Sequence, residues 1–73
     1  MDKSIFQEEY KKVINRLKIA RTEAGYTQVE VAKILKTNQS FISKVETGER
    51  RIDIIELKFF ANLYNKSILY FID

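Results

Sequence analysis

The sequence has no cysteine, no histidine, no proline and no tryptophan, and only two glycines among its 73 residues. Without cysteine there is no disulfide, and without cysteine or histidine the usual ligands of a zinc site are missing. The same gap removes the commonest nucleophiles and general bases, so an enzyme is not expected, nor a metal or other cofactor. The absence of proline and scarcity of glycine suit short loops and nearly continuous helix. No apolar run approaches the roughly 18–20 residues of a membrane span. The opening MDKSIFQEEYKK lacks the apolar centre of a signal peptide, so the expected location is cytoplasmic. A chain of this length is expected to form a single domain over residues 1–73. Its core is small, so helix packing or self-association must supply what disulfides and metals do not.

What is present centres on residues 27–48, TQVEVAKILKTNQSFISKVETG. Thr27-Gln28-Val29-Glu30 fits a capping box, which predicts a helix from Gln28 to about Leu35 with Val31, Ala32 and Leu35 inward. Lys36-Thr37-Asn38 leaves room only for a tight turn. Asn38 suits the N-cap of a second helix over Gln39–Thr47, and Gly48 suits the left-handed residue that ends it. Two helices joined by a turn of 3–4 residues have the geometry of a helix-turn-helix.

On the second helix, Ile42 and Val45 point one way with Glu46 beside them. Ser40, Ser43, Lys44 and Thr47 point the other way, and Gln39 stands at the start. That outer face is short, rich in hydrogen-bonding groups and free of acid. Glutamine pairs with adenine, lysine with guanine, and serine with base or phosphate. A merely solvated helix face would fit the same residues.

The run GYTQVEVAKIL…NQSFISKVETGERR resembles the Cro and phage-repressor (XRE-type) family of helix-turn-helix regulators over roughly Val13 to Phe71. The resemblance implies an all-α, lambda-repressor-like five-helix DNA-binding domain with the helix-turn-helix unit at 27–48. It also implies that Gln39, Ser40 and Lys44 occupy base-reading positions. Phe41, on the flank, would either pack inward or touch a thymine methyl. Gln28 matches a glutamine that anchors a phosphate and braces the first residue of the reading helix. Asn38, Ser43, Arg50 and Arg51 are expected on backbone phosphates. Lys36 stands where the family usually has glycine; a left-handed backbone there would cost on the order of 1 kcal/mol, and the side chain could reach a phosphate.

Ahead of this unit, Ser4-Ile5-Phe6-Gln7 reads as another capping box, predicting a first helix from near Ile5 to Ala24, stopped by Gly25. Phe6, Tyr10, Val13, Ile14, Leu17, Ala20 and Ala24 form its apolar stripe. Arg21 falls inside that stripe and needs an acid partner. Glu46, at the border of the buried face of the reading helix, is the natural candidate, and the family resemblance implies the same structural salt bridge.

Ile52 is expected to tuck into the core. Asp53-Ile54-Ile55-Glu56 predicts a fourth helix running to about Tyr64. Ile54, Leu57, Phe60, Ala61 and Tyr64 form one apolar face; Ile55, Phe59 and Leu63 form a second. A helix apolar on two sides must bury both. Ser67 would cap a last turn, Ile68–Ile72. Either this tail folds back over Phe59 and Leu63, or helix four and the tail (residues 53–73) form a dimer interface through Ile55, Phe59, Leu63, Leu69 and Ile72.

The expected function is therefore a transcriptional regulator, a repressor or autoregulator, binding double-stranded DNA as a homodimer on a pseudo-palindromic operator. Small controller proteins, Cro-like repressors and antitoxins share this build. The alternative is an antitoxin-like or adaptor module whose apolar C-terminal face binds another protein, such as a toxin or a polymerase subunit.

Overall fold

The computed structural model describes residues 3–73, and the side chains of all of these except Lys3 and Ile5; Met1 and Asp2, included in the domain expected above, lie outside the described residues. Five helices follow in order: α1 (Lys3–Glu23), α2 (Gln28–Ile34), α3 (Gln39–Thr47), α4 (Ile54–Leu63) and α5 (Ile68–Ile72). Among the described residues there is no strand, and no helix is long and apolar enough to cross a membrane. The fold is the all-α, five-helix arrangement with a central helix-turn-helix.

Local chemistry sets most of the boundaries. Thr27 accepts the Glu30 N–H at 3.1 Å, and Glu30 accepts the Thr27 N–H at 2.8 Å, so the first turn of α2 satisfies its own free donors. Asp53 and Glu56 do the same for α4, at 2.8 and 2.9 Å. Asn38 caps α3 by accepting the Phe41 N–H at 2.9 Å. Gly48 ends α3 at φ +84°, where a Cβ would also lie 3.0 Å from Ile14 Cδ1 of α1. Glycine therefore serves both the left-handed turn and the close approach of α1.

One hydrophobic cluster joins all five helices: Leu17 and Ala20 from α1, Val31 and Ala32 from α2, Ile42 and Val45 from α3, Leu57, Phe60 and Ala61 from α4 with Tyr64 at its end, and Phe71 from α5. Ile52 packs against its edge. α5 lies against both α1 and α4. Five residues cannot hold a helix alone. Burial of Phe71 supports it, as does Arg16, which donates from Nη1 to the carbonyls of Tyr70 (2.7 Å) and Asp73 (2.5 Å) at its C-terminal end.

Several expectations need correction. Ser4 lies inside α1 rather than capping it, because the helix already includes Lys3. Phe6 and Ala24, assigned to the apolar stripe, are exposed: Phe6 lies near the start of α1, and Ala24 follows its last residue, Glu23. Ile54 is 61% exposed rather than inward-facing. As the first residue of α4, beside its cap, it sits only about 20° of helical turn from the buried Ala61 but nearly two turns ahead of it, so its place at the start of the helix, not its face, leaves it exposed. Ser67 occupies the N-cap position of α5 but makes no side-chain capping bond. The tail does not fold over Phe59, which stays 58% exposed, while Leu63 is half-buried against the core.

Candidate nucleic-acid interface

The turn between α2 and α3 is closed by its backbone. Lys36 takes φ +58°, and the Thr37 N–H reaches back to the Ala32 carbonyl at 2.8 Å. Lysine is strained in that conformation by about 1 kcal/mol, a cost that glycine would avoid. Its side chain is exposed and meets no acid among the described residues.

With Ile42 and Val45 buried, the opposite face of α3 is turned outward. Gln39, Ser40, Lys44 and Thr47 are exposed, Ser43 is half-buried, and none of these is acidic. Four polar side chains run from this face into the interior. Gln39 Nε2 donates to Gln28 Oε1 at 3.4 Å, and Gln28 Nε2 donates to Glu46 Oε1 at 3.0 Å. Arg21 Nε donates to Glu46 Oε2 at 2.7 Å, and Nη2 donates to Oε1 at 3.1 Å. The remaining Arg21 donor, Nη1, goes to the Tyr26 carbonyl at 2.9 Å.

The Arg21 and Glu46 side chains are only 11% and 5% exposed. Their two-pronged geometry compensates the loss of water around both charges. The hydrogen bond to Glu46 holds the Arg21 guanidinium above its already high pKa, outweighing the opposing effect of burial. Gln28 thus has both ends of its amide engaged, which makes it a brace between Gln39 and Glu46.

The other sequence-derived candidates separate into inward and outward groups. Phe41 is half-buried against the core, and the Arg50 guanidinium lies 4.7 Å from its ring centroid, so its ring packs inward. Arg50 also donates to both oxygens of Glu56 at 3.1 Å each and to the Arg51 carbonyl. It therefore clamps the link to α4 rather than standing free. Among the described residues Arg51 has no ion-pair partner; its guanidinium lies 4.3 Å from the Tyr10 ring centroid. Asn38 is exposed, with its amide N–H₂ left over after its oxygen caps α3.

The residues expected at a dimer interface stand on two helices. Ile55 and Phe59 stand on the outer face of α4, Leu69 and Ile72 on α5, and Leu63 is partly covered. Phe59 lines a cavity of about 480 Å³ with Ile34, Leu35, Phe41 and Phe60, whereas Ile72 lines a separate one with Phe6 and Tyr10.

Three features escaped the sequence reading. Arg16 has no role in the sequence analysis, and its partners lie more than fifty residues away. Tyr10 was assigned to the core by spacing, yet its hydroxyl accepts the Ile52 N–H at 3.0 Å. The Tyr64 hydroxyl is buried without a hydrogen-bond partner among the described residues, and burial pushes its ionisation well above the usual phenol range.

A five-helix fold with a capped third helix packed across a tight turn from the second, outward polar residues and an internal arginine–glutamate brace defines a helix-turn-helix domain. Comparison with known proteins places it further. A family model described as helix-turn-helix matches residues 17–71. The chain is similar to the HTH-type transcriptional regulator ImmR of Bacillus subtilis (strain 168), with 44% identity over 55 residues, covering 75% of this chain and 43% of that protein. The chain thus spans less than half the length of that relative. No solved structure matches it. The chain belongs to the Cro/phage-repressor (XRE-type) helix-turn-helix family.

Proposed function

We propose that this chain is a sequence-specific, double-stranded DNA-binding transcriptional regulator, acting as a homodimeric repressor or autoregulator on a pseudo-palindromic operator. The observation that carries this reading is the exposed, acid-free face of α3, with Gln39 tied through Gln28 to the buried Arg21–Glu46 pair. That bracing fixes the side chain at the start of the reading helix before DNA arrives, so less ordering is lost on binding.

In this reading α3 enters the major groove, Gln39, Ser40 and Lys44 meet base edges, and Asn38, Ser43, Lys36 and Arg51 meet phosphates. Arg50 contributes to the backbone only by leaving Glu56, and Phe41 supports α3 from within. Two copies joined through Ile55 and Phe59 of α4 and Leu69 and Ile72 of α5 present two reading helices to successive grooves, about 34 Å apart. Selection of binding sites from random duplex DNA tests this: a recurring two-fold-symmetric site supports it, and no enrichment over random sequence refutes it.

A second reading, a module that binds another protein, is favoured by one observation. The roughly 480 Å³ cavity between α2 and α4 is lined by Ile34, Leu35, Phe41, Phe59 and Phe60 together with Lys36, Thr37 and Glu56, and Ile34 and Phe59 are exposed. Light scattering separates the two: a stable dimer supports the regulator, and a self-adhering monomer supports the module.

A further inference from the structure

We propose that the N-terminal half of α1 carries an additional anchor for the DNA backbone, in which Lys11 and Gln7 join Arg51 at the C-terminal end of the reading helix. This rests on the DNA-binding reading above and adds a site to it. Residues 3–16 precede the stretch matched by the family model, so Gln7 and Lys11 lie outside the family pattern.

Between α1 and the end of α3 lies a notch of about 270 Å³, bordered by Gln7, Tyr10, Lys11, Thr47 and Arg51. Its floor is the close approach of Ile14 to Gly48. Among the described residues no carboxylate lines it. Two cations, an amide and a hydroxyl facing one concavity suit a phosphodiester: positive charge and several donors around one negative group.

Arg51 is already placed. Its guanidinium stacks on Tyr10 at 4.3 Å, and Tyr10 fixes the neighbouring backbone by accepting the Ile52 N–H at 3.0 Å. Stacking restrains the guanidinium plane while leaving its N–H donors unspent. Lys11 is nearly as available: its acid contact is Glu8 at 3.8 Å, with both side chains about three-quarters exposed. Such an exposed pair is weak and readily exchanged for a phosphate.

Thr47 connects the notch to the reading face. It lies two turns after Ser40 on the same side of α3 and also borders the notch. A nine-residue helix is roughly 13 Å long, close to the width of the major groove at about 12 Å. With α3 seated there, a sugar–phosphate strand passes its end, where Lys11, Gln7 and Arg51 converge.

The test is affinity of the full chain for a duplex bearing the selected site, and for a random-sequence duplex, across a potassium chloride series. Lys11→Ala is compared with Lys18→Ala, which removes the same charge from an exposed position of α1 outside the notch. Lys11→Ala removes one contact from each protomer of the dimer, so it should lower the salt slope by about 1.8 and weaken both duplexes roughly sixtyfold near 0.1 M salt, as loss of two phosphate contacts requires. Lys11→Arg should restore the slope, and Lys18→Ala should leave it unchanged. Equal slopes for Lys11→Ala and Lys18→Ala, with melting temperatures matching the parent, would overturn the anchor while leaving DNA binding intact. Failure of the parent chain to bind either duplex would instead remove the DNA-binding reading and the anchor with it.

Discussion

Arg21 and Glu46 meet in the interior through two hydrogen bonds, at 2.7 and 3.1 Å, and Glu46 also accepts from Gln28, the residue that braces Gln39. A single buried carboxylate therefore holds α1, α2 and α3 in register. Removing either partner by Arg21→Ala or Glu46→Ala leaves a buried charge uncompensated. The expected loss is about 3–5 kcal/mol. Total stability for a chain of this size is roughly 4–11 kcal/mol. Urea unfolding followed by circular dichroism should show the midpoint collapse; a shift under about 1 kcal/mol would show the pair to be dispensable.

The unpartnered Tyr64 hydroxyl gives the opposite sign. Burying a hydroxyl without a hydrogen bond costs about 1–3 kcal/mol, and Tyr64→Phe removes that cost while keeping the ring contacts with Tyr26 and Phe60. The variant should be as stable as the parent or more so. Destabilisation by more than about 1 kcal/mol in the same assay would mean that the hydroxyl has a partner, such as a buried water.

Lys36 offers a trade between stability and binding. Lys36→Gly relieves the left-handed strain at φ +58° and should raise stability by about 1 kcal/mol. If the lysine reaches a phosphate, the same change should weaken specific and random duplexes alike and reduce the salt dependence by about one contact per protomer. Thermal melting and salt-dependent binding on the same sample measure both effects.

Acid should loosen α2 at its start. Hydrogen bonds to the backbone and side chain of Thr27 hold the Glu30 carboxyl below the ordinary glutamate range. Its folded pKa is thus depressed, so its contribution is complete above the unfolded value and is lost as pH falls through the folded one. Hydrogen exchange at the first amides of α2 should accelerate in that acidic window, and Glu30→Gln should flatten the response. Arg21 has no comparable window, because its raised pKa keeps it charged throughout any usable range.

What could be read ahead of the structure was whatever is encoded within a few residues. Asn38 and Gly48 mark both ends of α3 because caps act over three or four positions, and the α3 bounds follow from them. Arg21 advertised its need for an acid because it breaks an apolar stripe. Features that depend on distant packing were not legible. The helical wheel of α4 shows two apolar faces but cannot say where along the helix the core ends, so Ile54, exposed at its start, was assigned to the core. The docking of α5 depends on Arg16, and the restraint of Arg51 on Tyr10. Neither pair leaves a periodic trace in sequence. Arg50 looked like a phosphate anchor by charge alone, since nothing local reveals that Glu56 and Phe41 already hold it.

The central claim is that the outward face of α3 reads bases while the surrounding cations grip the backbone. Its most direct test is the affinity of Lys44→Ala and Arg51→Ala for the selected site and for random duplex at fixed salt. Lys44→Ala should lose about 1–3 kcal/mol on the selected site alone, with relaxed preference at one base pair, while Arg51→Ala should weaken both duplexes equally. Equal losses on both duplexes for Lys44→Ala as well would contradict the assignment of α3 as the reading helix.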